Sequence, residues 1–250
     1  MKIEERQNRI LDILQSEKTI EVGELASRLN TSLVTIRKDL TTLEQKKLLV
    51  RERGCARLNN DNLMAVSMST HYAVKKKIAE RASCLVESGE TIMVESGSTC
   101  VLLADELARS GKQVTIITNS VFLAEYTGHA ANLDIILTGG NFLASSEAMV
   151  GPAARTALSA YHARWFFTGA DGFSPESSFT GDSLQKAEII REMAGRSDTT
   201  VVMAEKARFT RQGAVSILDK EIHTLVIVDA LPDDSVCQIL KQQGAELVVA

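Results

Sequence analysis

Between Thr31 and Lys47 the apolar residues Leu33, Ile36, Leu40 and Leu43 recur at steps of three, four and three, which stacks them into one stripe on a helix. The opposite face carries Thr35, Arg37, Lys38, Thr41 and Thr42, and Ser32 stands at the N-cap position with no carboxylate in the turn that follows. Such a helix start leaves backbone N–H groups for a phosphate. Upstream, Val22, Leu25, Ala26 and Leu29 mark a shorter helix over 21–29, and Asn30-Thr31 supply the break before 32–46. A first helix over 3–15 offers Ile3, Ile10, Ile13 and Leu14 to a small core. Downstream, Leu48, Leu49 and Val50 precede Arg51, Arg53 and Arg57 around Gly54, a pattern that predicts a β-hairpin over 48–58 with a cationic tip. The sum is a winged helix-turn-helix over 1–58.

The stretch NNDNLMAVSMST is polar with short side chains, and 59–71 reads as a linker. From Tyr72 onward the pattern changes. Runs rich in β-branched residues, at 91–95, 114–118, 133–137, 164–168, 200–204, 224–228 and 246–250, alternate with helical segments. Continuous apolar runs separated by helices predict strands covered on both faces, hence a Rossmann-like, mostly parallel α/β domain over 72–250. The helix that leads into it carries Lys75, Lys76 and Lys77, expected as a solvated face.

At 250 residues the chain has room for such a module and a second domain with a sizeable core. It contains no apolar run long enough to span a bilayer, and its N-terminus is charged and helix-patterned, so a cytoplasmic protein is expected. The four cysteines lack C-x-x-C spacing, which favours reduced thiols over a zinc site or a disulfide framework; no metal and no cofactor are expected. Cys100 falls where a helix start could acidify its thiol. The net charge of −4 conceals an asymmetry: residues 1–58 hold 12 Lys and Arg against 9 Asp and Glu, and the remainder 16 against 23. Positive potential is thus concentrated in the segment suited to DNA phosphates.

In a parallel α/β sheet small ligands bind beyond the carboxyl ends of the strands. Those ends carry Glu95-Ser96-Gly97-Ser98-Thr99, Thr118-Asn119-Ser120, Thr138-Gly139-Gly140, Thr168-Gly169-Ala170-Asp171-Gly172 and Glu205-Lys206-Ala207-Arg208. Each alone is what any turn or cap requires. Together, hydroxyls, glycines, Asp171 and the cations Lys206 and Arg208 suit a small polyhydroxylated anion, and a sugar phosphate fits.

The run SLVTIRKDLTTLEQ followed by VRERG resembles the N-terminal domain of the DeoR family of bacterial transcriptional regulators. The likeness extends through GST, TNS, TGG, Gly151-Pro152 and FFTGADG to the family's effector domain, whose fold is similar to ribose-5-phosphate isomerase. The resemblance implies that Ser96, Gly97, Ser98 and Thr99 hold the phosphate and that Asp171 bonds sugar hydroxyls; the strand-end loops add Asn119, Gly139, Gly140, Lys206 and Arg208 to the effector set. This chain departs from the family pattern at Glu95, where an aspartate is usual, at Arg208, where a lysine is usual, and at Gln185, where a common glutamate falls.

Three functions compete. The first is a repressor of a sugar-catabolism operon: Ser32, Thr35, Arg37 and Lys38 meet double-stranded operator DNA in the major groove, Arg51 and Arg53 hold the flanking backbone, and a homo-oligomer spans repeated half-sites. The second is a sugar-phosphate isomerase with an accessory DNA-binding domain, and the third an architectural DNA-binding protein. The isomerases read Asp-Gly-Ala-Asp-Glu where this chain reads Thr168-Gly169-Ala170-Asp171-Gly172, so two acids needed for proton transfer are missing and the regulator is favoured.

Overall fold

The computed structural model describes residues 1–218 and 223–250. It divides into two units, Met1–Ala73 and Val74–Ala250. In the first, α1 (Ile3–Ser16) and a short β1 (Ile20–Glu21) precede α2 (Val22–Arg28) and α3 (Leu33–Gln45); β2 (Leu49–Glu52) and β3 (Cys55–Leu58) follow, and α4 (Leu63–Ser69) ends the unit. β1 and β2 flank β3 in a small antiparallel sheet. The two residues between β2 and β3, Arg53 and Gly54, have φ of 47° and 86°. Both angles are positive, which matches the hairpin turn whose twist suits the flanking strands.

Ile10, Leu11, Leu14, Leu25, Ile36, Leu40, Leu43, Leu48 and Leu49 make the core of this unit. Three expected members are not in it: Ile3 is exposed at the first residue of α1, Ile13 is half-buried, and Leu33 is 47% exposed. The buried set on α3 is Ile36, Asp39, Leu40 and Leu43. At 100° per residue Leu33 lies roughly 70° from the centre of that set, on its flank. The unforeseen member is Asp39, which accepts two hydrogen bonds from Arg6 of α1 at 2.5 and 3.2 Å.

The stretch 59–71, expected as a linker, instead contains the capped helix α4. Asn62 Oδ1 accepts from the Ala65 amide at 2.8 Å, Met64, Ala65 and Met68 are buried, and Gln15 of α1 donates to the Ser69 carbonyl. The two methionines and the alanine are set among Asn, Asp, Ser and Thr, which gives the stretch its polar look.

The second unit begins within α5 (Tyr72–Ser83), which is followed by β4 (Thr91–Val94), α6 (Ser98–Ser110), β5 (Val114–Thr118), α7 (Val121–Thr127) and β6 (Leu133–Leu137). A hairpin of β7 (Asn141–Leu143) and β8 (Ala148–Val150) leads to α8 (Pro152–Leu158), β9 (Ala163–Thr168), and a ribbon of β10 (Gly172–Ser174) and β11 (Ser178–Gly181). Then come α9 (Leu184–Ala194), β12 (Ser197–Ala204), a 3-10 turn over Lys206–Thr210, β13 (Val215–Ser216), which joins the ribbon, β14 (Thr224–Val228), α10 (Asp234–Gln242) and β15 (Glu246–Val249).

Seven strands, in the order β15-β14-β12-β9-β4-β5-β6, form one sheet whose pairs are all parallel. The chain winds outward from β4 to β6 and then returns to the other side at β9. The order therefore reverses between β4 and β9, the position at which a doubly wound sheet opens a crevice at its carboxyl edge. The central strands are buried as their apolar runs require, whereas the outermost, β6 and β15, are only half covered, with Leu137 and Val249 exposed. An edge strand has a neighbour on one side alone. The lysine run also differs from expectation: Lys77 is exposed, but Lys75 and Lys76 are buried. No helix among the described residues is long and apolar enough to cross a membrane.

Candidate functional site

The outer face of α3 is as the sequence predicts. Ser32 caps the helix, its Oγ accepting from the Thr35 amide at 3.1 Å, and Arg37 and Lys38 are exposed with no ion-pair partner among the described residues. Val34, 62% exposed, stands three, four and seven residues before Arg37, Lys38 and Thr41, hence on the same face. Sequence reading missed it because an apolar residue on a polar face is taken for noise. Thr41 and Thr42 turn their hydroxyls back onto the carbonyls of Arg37 and Lys38.

Arg51 is not a free cation. Its Nε donates to Glu44 Oε2 at 2.7 Å, Nη1 to Thr41 Oγ1 at 3.0 Å, and its amide to Glu44 Oε1 at 3.2 Å. Those bonds hold the Glu44 carboxyl below the usual carboxylate range. The side chain expected to grip a DNA backbone thus fastens the hairpin to α3. Arg53, exposed at the hairpin tip, is the cation left facing outward. Between helix and hairpin lies a groove of about 310 Å³ lined by Arg37, Arg51, Arg53, Glu44 and Cys55, among others.

In the second unit the turn after β4 and the turn after β9 meet at the strand-order reversal. A Cβ built on Gly97 would sit 3.0 Å from Glu95 Oε2 and 3.8 Å from the Gly169 amide, and one on Gly169 would be 4.0 Å from the Met203 carbonyl. The carboxyl ends of β4, β9 and β12 are therefore in contact. Gly97 caps α6 without a side-chain oxygen, and no acid stands in the first turn. Ser96 and Thr99 are buried while Gly97 and Ser98 are half-buried.

Around this turn the charges are paired. Glu95 accepts from Ser96 Oγ at 2.9 Å and from Lys186 Nζ of α9 at 3.0 Å. Glu95, and more distantly Asp171, keep the Lys186 ammonium more strongly protonated than an ordinary lysine. Asp171 is half-buried and accepts from the Asp182 amide at 3.3 Å. Gln185, where the family resemblance places a glutamate, is exposed; its neighbour Lys186 is the residue that turns inward.

A second group stands at the end of β12. Glu205 is buried with Arg208 Nη2 at 3.6 Å and Lys75 Nζ at 3.9 Å. Burial pushes the Lys75 ammonium down to about 8 despite the attraction of Glu205. Lys206 is exposed, and its amide donates to Asp229. Lys75 is a residue that sequence reading missed; a lysine run on a helix gives no sign of which member points inward.

Three other predicted effector residues follow β5 and β6, on one side of β4. Asn119 is fully buried and gives its amide to the Met149 carbonyl, fastening β8 to the end of β5. Gly139 and Gly140, with φ of 67° and 119°, follow β6, two strands from β4 and so about 10 Å from the crevice. A Cβ on Gly140 would be 2.7 Å from the Val150 carbonyl, so this glycine lets the hairpin close on β8. Burial, and secondarily the nearby Glu95 carboxylate, push the Cys100 thiol up rather than down, and the thiol donates to the Phe167 carbonyl. The acidified thiol considered from sequence is not present. Among the described residues no group of three or more His, Cys, Asp or Glu is placed to hold a metal ion.

Comparison with known proteins accounts for both halves. Residues 6–62 match the DeoR-like helix-turn-helix domain, and residues 70–230 the DeoR C terminal sensor domain. The chain is 27% identical to the HTH-type transcriptional repressor GlcR of Bacillus subtilis, over 98% of this chain and 96% of that protein. It is 32% identical to the lactose phosphotransferase system repressor of Lactococcus lactis subsp. lactis, over 76% of each. Among solved structures, ribose 5-phosphate isomerase A of Methanocaldococcus jannaschii superimposes with a TM-score of 0.42 at 17% identity, covering 56% of this chain and 55% of that one. The relatives are named as regulators and repressors rather than enzymes, and with two family domains spanning most of its length the chain belongs to the DeoR family of DNA-binding transcriptional regulators.

Proposed function

We propose that this regulator represses a sugar-catabolism operon and that a phosphorylated sugar, bound in the crevice between β4 and β9, alters its hold on the operator. The observation that carries the reading is the Ser96–Thr99 turn: an acid-free start of a 13-residue helix, placed at the reversal of strand order, with a glycine at its cap where a Cβ would press on Glu95. Backbone N–H groups, hydroxyls and the positive end of the helix there suit a phosphate. Asp171 suits the hydroxyls of the sugar. The lactose phosphotransferase system repressors among its relatives support a carbohydrate signal.

On the DNA side, Arg37 has the geometry to fork onto a guanine, Lys38 to meet a phosphate, and Val34 to pack on a thymine methyl group. Ser32 and Thr35 orient the helix start, and Arg53 reaches the flanking backbone while Arg51 sets the angle of the hairpin. One module covers a short site, so operator recognition requires a homo-oligomer acting on repeated half-sites. The effector shifts operator affinity only through its difference in affinity for the free and DNA-bound arrangements; a tenfold shift needs about 1.4 kcal/mol. No bound cofactor is required, and such a regulator acts in the cytoplasm, where its DNA lies. Fluorescence anisotropy of a labelled operator, titrated with protein and then with pentose and hexose monophosphates, tests the reading; an operator complex indifferent to all of them would remove it.

A further inference from the structure

Lys186 stands in the first turn of α9, three residues beyond the capping Ser183. The partial positive charge at a helix start disfavours a cation there. The chain nevertheless places one, 3.0 Å from a carboxylate, and the two partners are unequal: the Lys186 side chain is 23% exposed and that of Glu95 only 3%. Glu95 is also held by the Ser96 hydroxyl, and its other oxygen lies 3.0 Å from where a side chain on Gly97 would begin. An anion entering the crevice can therefore reach the lysine but not the acid behind it. It would arrive at the very turn, Ser96–Thr99, that supplies hydroxyls and N–H groups but no formal positive charge.

We propose that Lys186 is the cation that recognises the anionic group of the effector, and that Glu95 is its resident partner until the effector arrives. This rests on the reading of Ser96–Thr99 as the phosphate site and adds the residue that supplies its charge. Glu95 and the phosphate then compete for one ammonium. Removing either member of the pair should change phosphate affinity in opposite directions, whereas an ion pair that merely braces the fold would lose binding in both cases.

The test is calorimetric titration of the full-length protein with inorganic phosphate and with a panel of pentose and hexose monophosphates, alongside thermal melting as a check of folding. Lys186→Met should weaken binding at least tenfold, Lys186→Arg should retain most of it, and Glu95→Gln should strengthen it about tenfold, with a lowered melting midpoint that ligand restores. If Glu95→Gln does not fold, Glu95→Asp, whose shorter side chain holds the ammonium less closely, must still move affinity upward. The assignment is overturned if Lys186→Met binds as the wild type does, or if both Glu95 variants lose affinity alongside it. A wild type that binds none of these probes would overturn the phosphate site itself. Binding abolished by Gly97→Val but indifferent to Lys186 would leave the phosphate site standing and remove the lysine from it.

Discussion

Replacing Arg6 by Met strikes the contact that orients the DNA-reading helix. Arg6 on α1 and Asp39 on α3 are joined by hydrogen bonds of 2.5 and 3.2 Å, with side chains 10% and 4% exposed. The Asp39 hydrogen bond raises the Arg6 pKa further, so the pair does not dissolve by loss of the guanidinium proton. Removing one member of a buried pair leaves the other charge without compensation, which costs about 3–5 kcal/mol. A unit of 73 residues, Met1–Ala73, has a total stability of roughly 4–11 kcal/mol. Arg6→Met should therefore lower the unit's melting transition steeply and abolish operator binding at temperatures the wild type tolerates. The double variant Arg6→Met/Asp39→Leu, in which neither charge remains, should recover much of the loss. Circular dichroism melts of all four members of the cycle, with operator binding below each transition, supply the numbers. A loss under about 1 kcal/mol for Arg6→Met, or a double variant no more stable than the single one, would refute the argument that this pair sets the helix.

Arg37→Ala should reduce specific operator binding to the level of unrelated DNA while leaving sugar-phosphate binding intact, as separate anisotropy and calorimetric titrations would report. Replacing operator thymines by uracil, which lacks only the methyl group, should weaken the wild type at one position per half-site and leave Val34→Ala unaffected there; equal losses in both proteins would exclude Val34 from base contact. Glu44→Gln should loosen the hairpin from α3 and weaken operator binding severalfold with little effect on the melting of the second unit. Lys75 makes a pH prediction: its pKa falls from 10.5 to about 8 on folding, so the buried ammonium opposes folding below pH 8. That opposition is relieved as pH rises from 8 to 10.5, by about 3 kcal/mol in all. Melting of the wild type should gain over Lys75→Met across that window, and parallel pH profiles would contradict it.

Much of the architecture was legible because it rests on periodicity. Strands over Val114–Thr118, Leu133–Leu137 and Thr224–Val228 fall where runs of β-branched residues predict them, and α3 where its stripe does. What stayed hidden depends on contacts between segments far apart in the chain. Asp39 reads as a polar residue until Arg6, 33 positions earlier, is seen to meet it. Lys75 and Lys186 look like solvent-exposed cations, and only the fold brings them to Glu205 and Glu95. Conversely, a strand-end position alone does not put a residue at the crevice. Gly139 and Gly140 follow β6, two strands from β4, and Gly140 leaves the space into which the Val150 carbonyl packs.

The coupling of the two halves is tested most directly by one titration of the intact protein on its operator. Increasing concentrations of each sugar monophosphate are added to the wild-type complex and to that of Gly97→Val, whose branched side chain would collide with Glu95. The account predicts that at least one sugar phosphate shifts the wild-type operator affinity tenfold or more, and that the variant binds the same operator equally well but no longer responds. An undiminished response from Gly97→Val would contradict it.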